Sequence, residues 1–343
     1  MNPSLLEPLG RLESDPYWAS DERPGRVVAV HGASAEIMWF PHHEAVEARV
    51  ELRRQLQVTP VAGDWITMRD GQINGVMERR TVLTRPQAGG RGTQVLAANI
   101  DLVFIVLPID RSLNLKLLER LSVMAWDSGA APMLILTKSD AATDTAEALD
   151  QAQMAAPGVE TLLTSSVDGR GISDLRARLG RGVTATMLGA SGAGKTSLLN
   201  ALDDRTEFTR EVRRSGDGRH STTTRRLYQL TSGGVLLDLP GIRSLDLSAS
   251  AQAVDEIFAE ITTIARKCRF SDCQHNGEPG CAIQAAIDLG KIDERRIDSW
   301  RAIRREQAYQ ERRHDPRKMA AQRSEWKKAT RATRSVPRRY SHD

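Results

Sequence analysis

Gly189, Gly194, Lys195 and Thr196 stand at the spacing G-x-x-x-x-G-K-[ST] within GASGAGKTS, residues 189–197. In a loop of this kind the backbone N–H groups of Ala190, Ser191, Gly192, Ala193 and Ser197 surround phosphate oxygens. Lys195 reaches the β- and γ-phosphates, and the Thr196 hydroxyl ligates Mg²⁺. The helix beginning after the loop adds the partial positive charge of its N-terminus. The chemistry is nucleoside triphosphate binding.

Other strings gain meaning from this loop. Asp238-Leu-Pro-Gly241 lies 42 positions after Thr196, behind the apolar run GGVLL. A strand-end carboxylate there can hold Mg²⁺ as a Walker-B aspartate does, and the Gly241 N–H can sense a γ-phosphate. Between the two lies GDGRHSTTT, 216–224. This polar stretch suits either a surface loop or a switch in which Thr222 or Thr223 reaches Mg²⁺. Thr137, Lys138, Ser139 and Asp140 end the run APMLIL. In the pattern [NT]-K-x-D the aspartate accepts from guanine N1–H and N2–H₂, and adenine would leave it unpaired. Ser165 and Ser166 end the next apolar run, where a backbone N–H can meet guanine O6. The base-reading strings therefore precede the phosphate loop, which precedes both switch-like strings: the order of a circularly permuted GTPase.

A separate constellation is Cys268-x4-Cys273-x-His275-x5-Cys281, which holds all three cysteines of the chain. Three thiolates and an imidazole fit a closed tetrahedral zinc site with a structural role. Free buried thiols or a redox pair are the competing readings. An odd cysteine count argues against a disulfide framework.

The elements that must carry these residues follow from pattern. Residues 24–82 contain five short strand-like runs, GRVVAVHG, AEIMWF, EARVELR, DWITMRD and GQINGVMERR, which suits a small OB-type or SH3-like barrel. Beyond Arg85-Pro86, apolar runs at 101–108, 131–137, 159–165 and 182–189 alternate with helical stretches Leu115–Ser128, Thr145–Ala155 and Ile172–Leu179. That alternation predicts a parallel α/β sheet. RRLYQL and GGVLLDLPG close the section. A helix over Val254–Arg266, the cysteine cluster and a long basic helical region, Lys291–Ala332, complete the chain. The expected organisation is an extension (1–23), an all-β barrel (24–84), a permuted P-loop GTPase domain (85–245), a mainly α zinc-binding domain (246–300) and a basic tail (301–343).

Charge supports this division. The chain of 343 residues carries +4 formally, yet the last 43 residues hold 14 Lys/Arg against 5 Asp/Glu. The tail is thus +9 and the rest −5, which suits a polyanion partner or a solvated tail. No apolar run is long enough to span a membrane. The N-terminal residues lack a basic, then apolar, leader. A cytoplasmic monomer is the expectation.

Together these strings resemble the ribosome small-subunit-dependent GTPase A family, circularly permuted GTPases of bacterial ribosome assembly. The resemblance rests on VAGDWI (61–66), TKSD, SSVDGRG (165–171), GASGAGKTSLLN, GRHSTTT (218–224), DLPGIR (238–243) and CRFSDCQHNGEPGCAI (268–283), and runs over roughly residues 24–300. It implies an OB barrel, a GTPase using Mg²⁺ with GTP, a structural zinc ion, and late action on the 30S subunit, with 16S rRNA as a contact. Thr137 replaces the more frequent Asn, and Ser221 stands where the family more often has Thr. Ile242 occupies the position after the glycine where Ras-type enzymes place a water-orienting Gln. His220 is therefore the candidate for orienting water. A vestigial nucleotide site in an RNA-binding assembly factor, or a P-loop ATPase, are the alternatives. Because DLPGIR leads directly into 244–300, γ-phosphate loss is expected to act on the cysteine–histidine region.

Overall fold

The computed structural model describes residues 10, 22–39, 46–53, 56–87, 92–203, 225–239 and 249–314. Five strands form the N-terminal barrel: β1 (Arg23–His31), β2 (Ser34–Trp39), β3 (Val46–Glu51), β4 (Trp65–Arg69) and β5 (Gln72–Val76). β1 pairs antiparallel with β2 and β4, β2 with β3, and β4 with β5, while β3 lies against β5. This closes a ring β1-β2-β3-β5-β4, the partly open five-stranded OB arrangement. Alternation along the strands turns Val27, Ala35, Ile37, Val50, Ile66, Met68 and Ile73 into one apolar interior.

A hairpin of β6 (Val82–Pro86) and β7 (Thr93–Ala98) follows. The sequence pattern misses it because Pro86 and the glycine-rich turn break the alternation. The central domain then adds β8 (Leu102–Pro108), β9 (Ala131–Thr137), β10 (Glu160–Leu163), β11 (Thr184–Leu188), β12 (Arg226–Gln229) and β13 (Val235–Asp238). β10, β9, β8, β11 and β13 are parallel neighbours in that order, with antiparallel β12 beside β13. Helices α3 (Ile172–Arg178) and α4 (Lys195–Leu202) cover one face. The other face is covered by α1 (Leu115–Asp127), α2 (Thr145–Ala155) and the C-terminal helices. Both faces are therefore buried, and the parallel strands read as continuous apolar runs.

The C-terminal helices are α5 (Ala251–Ile257), α6 (Ala259–Ala265), α7 (Ala282–Asp288) and α8 (Glu294–His314). The expected single helix over Val254–Arg266 is thus two helices, broken at Phe258. The Ile257 carbonyl accepts from the Arg296 guanidinium at 2.7 Å, and that guanidinium lies 4.8 Å from the Phe258 ring. Tertiary contacts override a continuous helical pattern there. The long basic helix is seen as Glu294–His314; the rest of its expected span lies outside the described residues, as does most of the tail.

One sheet runs through both domains, because β12 pairs antiparallel with β1 at Ala29–Arg226. Arg26 reinforces the junction although it is fully buried. It donates to the Gly63 carbonyl (3.2 Å), the Thr184 hydroxyl (2.9 Å) and the Asn99 carbonyl (3.0 Å), and lies over the Trp65 ring. The Thr184 N–H in turn donates to Asp101 at 2.7 Å. Among the described residues no helix is long and apolar enough to cross a membrane.

Candidate functional site

The sheet brings the sequence-predicted strings to one edge. TKSD begins at the carboxyl end of β9, Ser165 follows that of β10, the glycine loop that of β11, and Asp238 ends β13. Ligands of open α/β sheets bind at this edge. Gly189 leaves β11 against β8: a Cβ there would lie 2.4 Å from the Val106 carbonyl oxygen, so only glycine fits. Gly194 caps α4 with φ 93°, a left-handed conformation that glycine adopts without strain. The exposed Ala190, Ser191, Gly192, Thr196 and Ser197 surround the loop, while Ala193 is buried.

Two charged groups sit within this cradle. Lys195 folds back on its own loop, donating to the carbonyls of Gly189 (2.7 Å) and Ala190 (2.9 Å). Burial lowers its pKa, and the Asp238 carboxylate works in the opposite direction. Asp238 is pushed above the ordinary carboxylate value by desolvation, with Lys195 and the Leu239 N–H partly offsetting this. A half-buried carboxylate with no short ion pair among the described residues is a hard oxygen donor of the kind that suits Mg²⁺. His220, Thr222, Thr223 and Gly241 lie outside the described residues.

Thr137 occupies a position the sequence marked only as a departure. Its hydroxyl donates 2.6 Å to the carbonyl of Ala193, inside the glycine loop. It thereby ties the TKSD string to the glycine loop. Lys138 is left-handed at φ 60° and donates to Asp110 at 2.7 Å. Asp110, beyond the end of β8, was not signalled by any motif. Ser139 is buried, with its N–H on the Thr164 carbonyl (3.1 Å), while Asp140 is exposed. The Ser165 N–H is taken by the Arg170 carbonyl (3.0 Å), and its hydroxyl caps Val167 and Asp168. Ser166 is exposed.

A second cluster lies in the C-terminal domain. One ligand atom from each of Cys268, Cys273, His275 and Cys281 lies within 4.8 Å of all the others. His275 adopts φ 62° to place its Nδ1 3.4 Å from the Cys268 Sγ and 3.8 Å from the Cys281 Sγ. Burial lowers the His275 pKa, with Glu278 opposing this and Arg301 and Arg304 adding to it, a shift toward the neutral form that metal ligation requires. The Ala282 N–H points at Cys268 Sγ (3.3 Å) and, against the effect of burial, helps hold that thiol below its ordinary pKa, while the Gln284 N–H points at Cys281 Sγ (3.4 Å) and burial pushes the Cys273 thiol up to about 12. Glu278 accepts from the N–H groups of Gln274 and Asn276, pinning the loop. The cluster can hold a metal ion.

A glycine loop entering α4, with an aspartate on the adjacent parallel strand and base-reading strings earlier in the chain, defines a circularly permuted P-loop GTPase. Comparison with known proteins agrees. The family model for the RsgA GTPase matches residues 76–248. A small ribosomal subunit biogenesis GTPase RsgA of Streptomyces coelicolor is 39% identical over 324 residues, covering 91% of this chain and 88% of the relative. Its namesake in Methanosarcina acetivorans is 38% identical over 260 residues, covering 73% and 70%. The crystal structure of YjeQ from Thermotoga maritima superposes with TM-score 0.62 at 25% identity, covering 84% of this chain and 99% of that one. YloQ, described as a circularly permuted GTPase, gives TM-score 0.59 at 22% identity and shows the same fold. The chain belongs to the RsgA GTPase family, and it is a GTP-hydrolysing enzyme.

Proposed function

We propose that the chain is a GTPase of late small-subunit assembly that docks on 16S rRNA and is stimulated by the 30S particle. The names of its relatives support this partner. The observation that best supports this site is the 2.6 Å bond from Thr137 to Ala193, which ties the TKSD string to the glycine loop. In this reading Lys138, Ser139 and Asp140 with Ser165 and Ser166 hold guanine. Residues 189–197 and Gly241 hold the phosphates, with Lys195 countering charge that builds on them in the transition state.

Thr196, Asp238 and Thr222 or Thr223 hold Mg²⁺, which neutralises phosphate charge when bound. His220 orients the attacking water. Cys268, Cys273, His275 and Cys281 hold one structural zinc ion. The domains divide as 1–23, 24–84, 85–245, 246–300 and 301–343, the last a basic RNA-facing tail. The protein acts as a cytoplasmic monomer.

Turnover of GTP and ATP with and without purified 30S subunits tests the reading. Stimulated, GTP-specific turnover is expected, with Asp140→Asn collapsing the preference for guanine over adenine. Equal use of ATP together with no response to 30S would overturn it. Metal analysis should return one zinc per chain.

A further inference from the structure

A cleft outside the nucleotide edge separates the barrel from the β6–β7 hairpin. Its volume is about 430 Å³, within the range of small-molecule sites. Val30, Val58, Pro60, Val61, Val95 and Leu96 make its walls apolar. Arg79 forms one side and is immobilised: it donates to both Asp64 oxygens at 2.8 Å and to the Thr59 carbonyl at 2.9 Å. Its charge is thus answered, leaving a rigid planar surface.

Arg225 lines the same cleft and is different. Among the described residues it has no acidic partner, and the nearby Glu36 is taken by Arg226 and His31. A second cation, Arg85, donates to Gln94 (3.1 Å) on the cleft wall and has no acidic partner among the described residues. Burial and Arg85 both depress the Arg225 pKa. A half-buried guanidinium lining an apolar hollow, with a second cation nearby and no carboxylate paired to it among the described residues, is unfavourable alone and is relieved by an anion.

We propose that this cleft binds a nucleoside monophosphate unit, its phosphate on Arg225 and Arg85 and its base against the apolar wall and the fixed Arg79 plane. Flat bases stack on such surfaces without regard to sequence, and guanidinium forks match phosphate. The unit comes from a single RNA strand or from a free nucleotide. The choice of RNA rests on the ribosomal reading above; the anion site itself does not. Arg225 immediately follows GRHSTTT and precedes β12. An occupant would therefore hold the chain where the candidate switch string rejoins the sheet.

The test uses the full chain saturated with GDP and Mg²⁺, so that added binding reports a second site. Fluorescent single-stranded hexaribonucleotide and radiolabelled CMP are the probes, measured by anisotropy and equilibrium dialysis. The wild type should bind the hexamer. Arg225→Gln should weaken it roughly tenfold, the loss of one charge-assisted bond, and Val58→Trp should weaken it by filling the cleft. Parallel loss of CMP binding identifies free nucleotide as a sufficient ligand; hexamer binding without CMP binding identifies RNA as the source. Absence of binding by either probe, or affinities unchanged in both variants while their melting curves match wild type, would overturn the proposal. Stimulation by 30S, measured separately, keeps its failure distinct from that of the GTPase reading.

Discussion

Thr137 shows what one hydroxyl does at this site. The string TKSD was legible as base-reading chemistry, but the strut to Ala193 was not, because the partner lies 56 positions away on another loop. Thr137→Val keeps the shape and removes the donor, leaving a buried carbonyl unpaired. GDP affinity should fall about tenfold, a loss of roughly 1.4 kcal/mol, while Thr137→Ser retains it; fluorescent nucleotide titration reads both.

Asp238 carries a linkage consequence. Its folded pKa is raised by burial, so the folded chain binds more protons than the unfolded chain between the ordinary carboxylate value and that raised value. Ionised Asp238 therefore subtracts stability from the nucleotide-free protein at neutral pH, and the penalty fades as pH falls through the raised value. Asp238→Asn should raise the nucleotide-free Tm at pH 7 by about 2 °C, flatten that pH dependence and abolish Mg²⁺-dependent turnover. Calorimetry across pH 4–8 beside a turnover assay checks this.

At the scale of elements, the C-terminal helix α8 docks on α1 and α2. Glu119 of α1 is fully buried and accepts from Arg295 (3.1 Å) and Arg296 (3.0 Å) of α8. Arg296 also donates to the carbonyl ends of α2 and α5, at Ala155 and Ile257, where helix dipoles favour a cation. α1 and α2 flank β9, which presents TKSD. His275 packs on Trp300 of α8, and Arg301 of α8 donates to the His275 carbonyl, so contacts run from the metal-type cluster through α8 to α1, beside the covalent link through DLPGIR that the sequence suggested. Glu119→Ala leaves two guanidiniums facing a buried gap and should destabilise the chain by about 3 kcal/mol or more in urea unfolding. Neither α1 nor α8 shows this pair by pattern, since a buried Glu on an amphipathic helix reads as a surface residue until its partners are placed. The cysteines and His275 were legible because ligand chemistry restricts residue type and spacing together; the helix break at Phe258 was not, because it depends on an arginine 38 positions later.

For the whole molecule, the strand runs and the order of motifs sufficed to place a barrel before a permuted GTPase. The joint between them was invisible, because Arg26 reads as an ordinary strand cation and only tertiary structure supplies Gly63, Asn99 and Thr184 around it. With the barrel and the nucleotide domain hydrogen-bonded into one sheet, calorimetry should show them melting in one transition. Arg26→Met should lower that transition and split it, as the barrel loses its hold on β11. The same seam governs how the chain is made. β1 and β12 meet at Ala29 and Arg226, 197 positions apart. At a synthesis rate of ~5–20 residues per second, the barrel edge waits roughly 10–40 s for its partner strand. During translation this protein therefore presents an unpaired β-edge on the very particle type whose small subunit its relatives help to build.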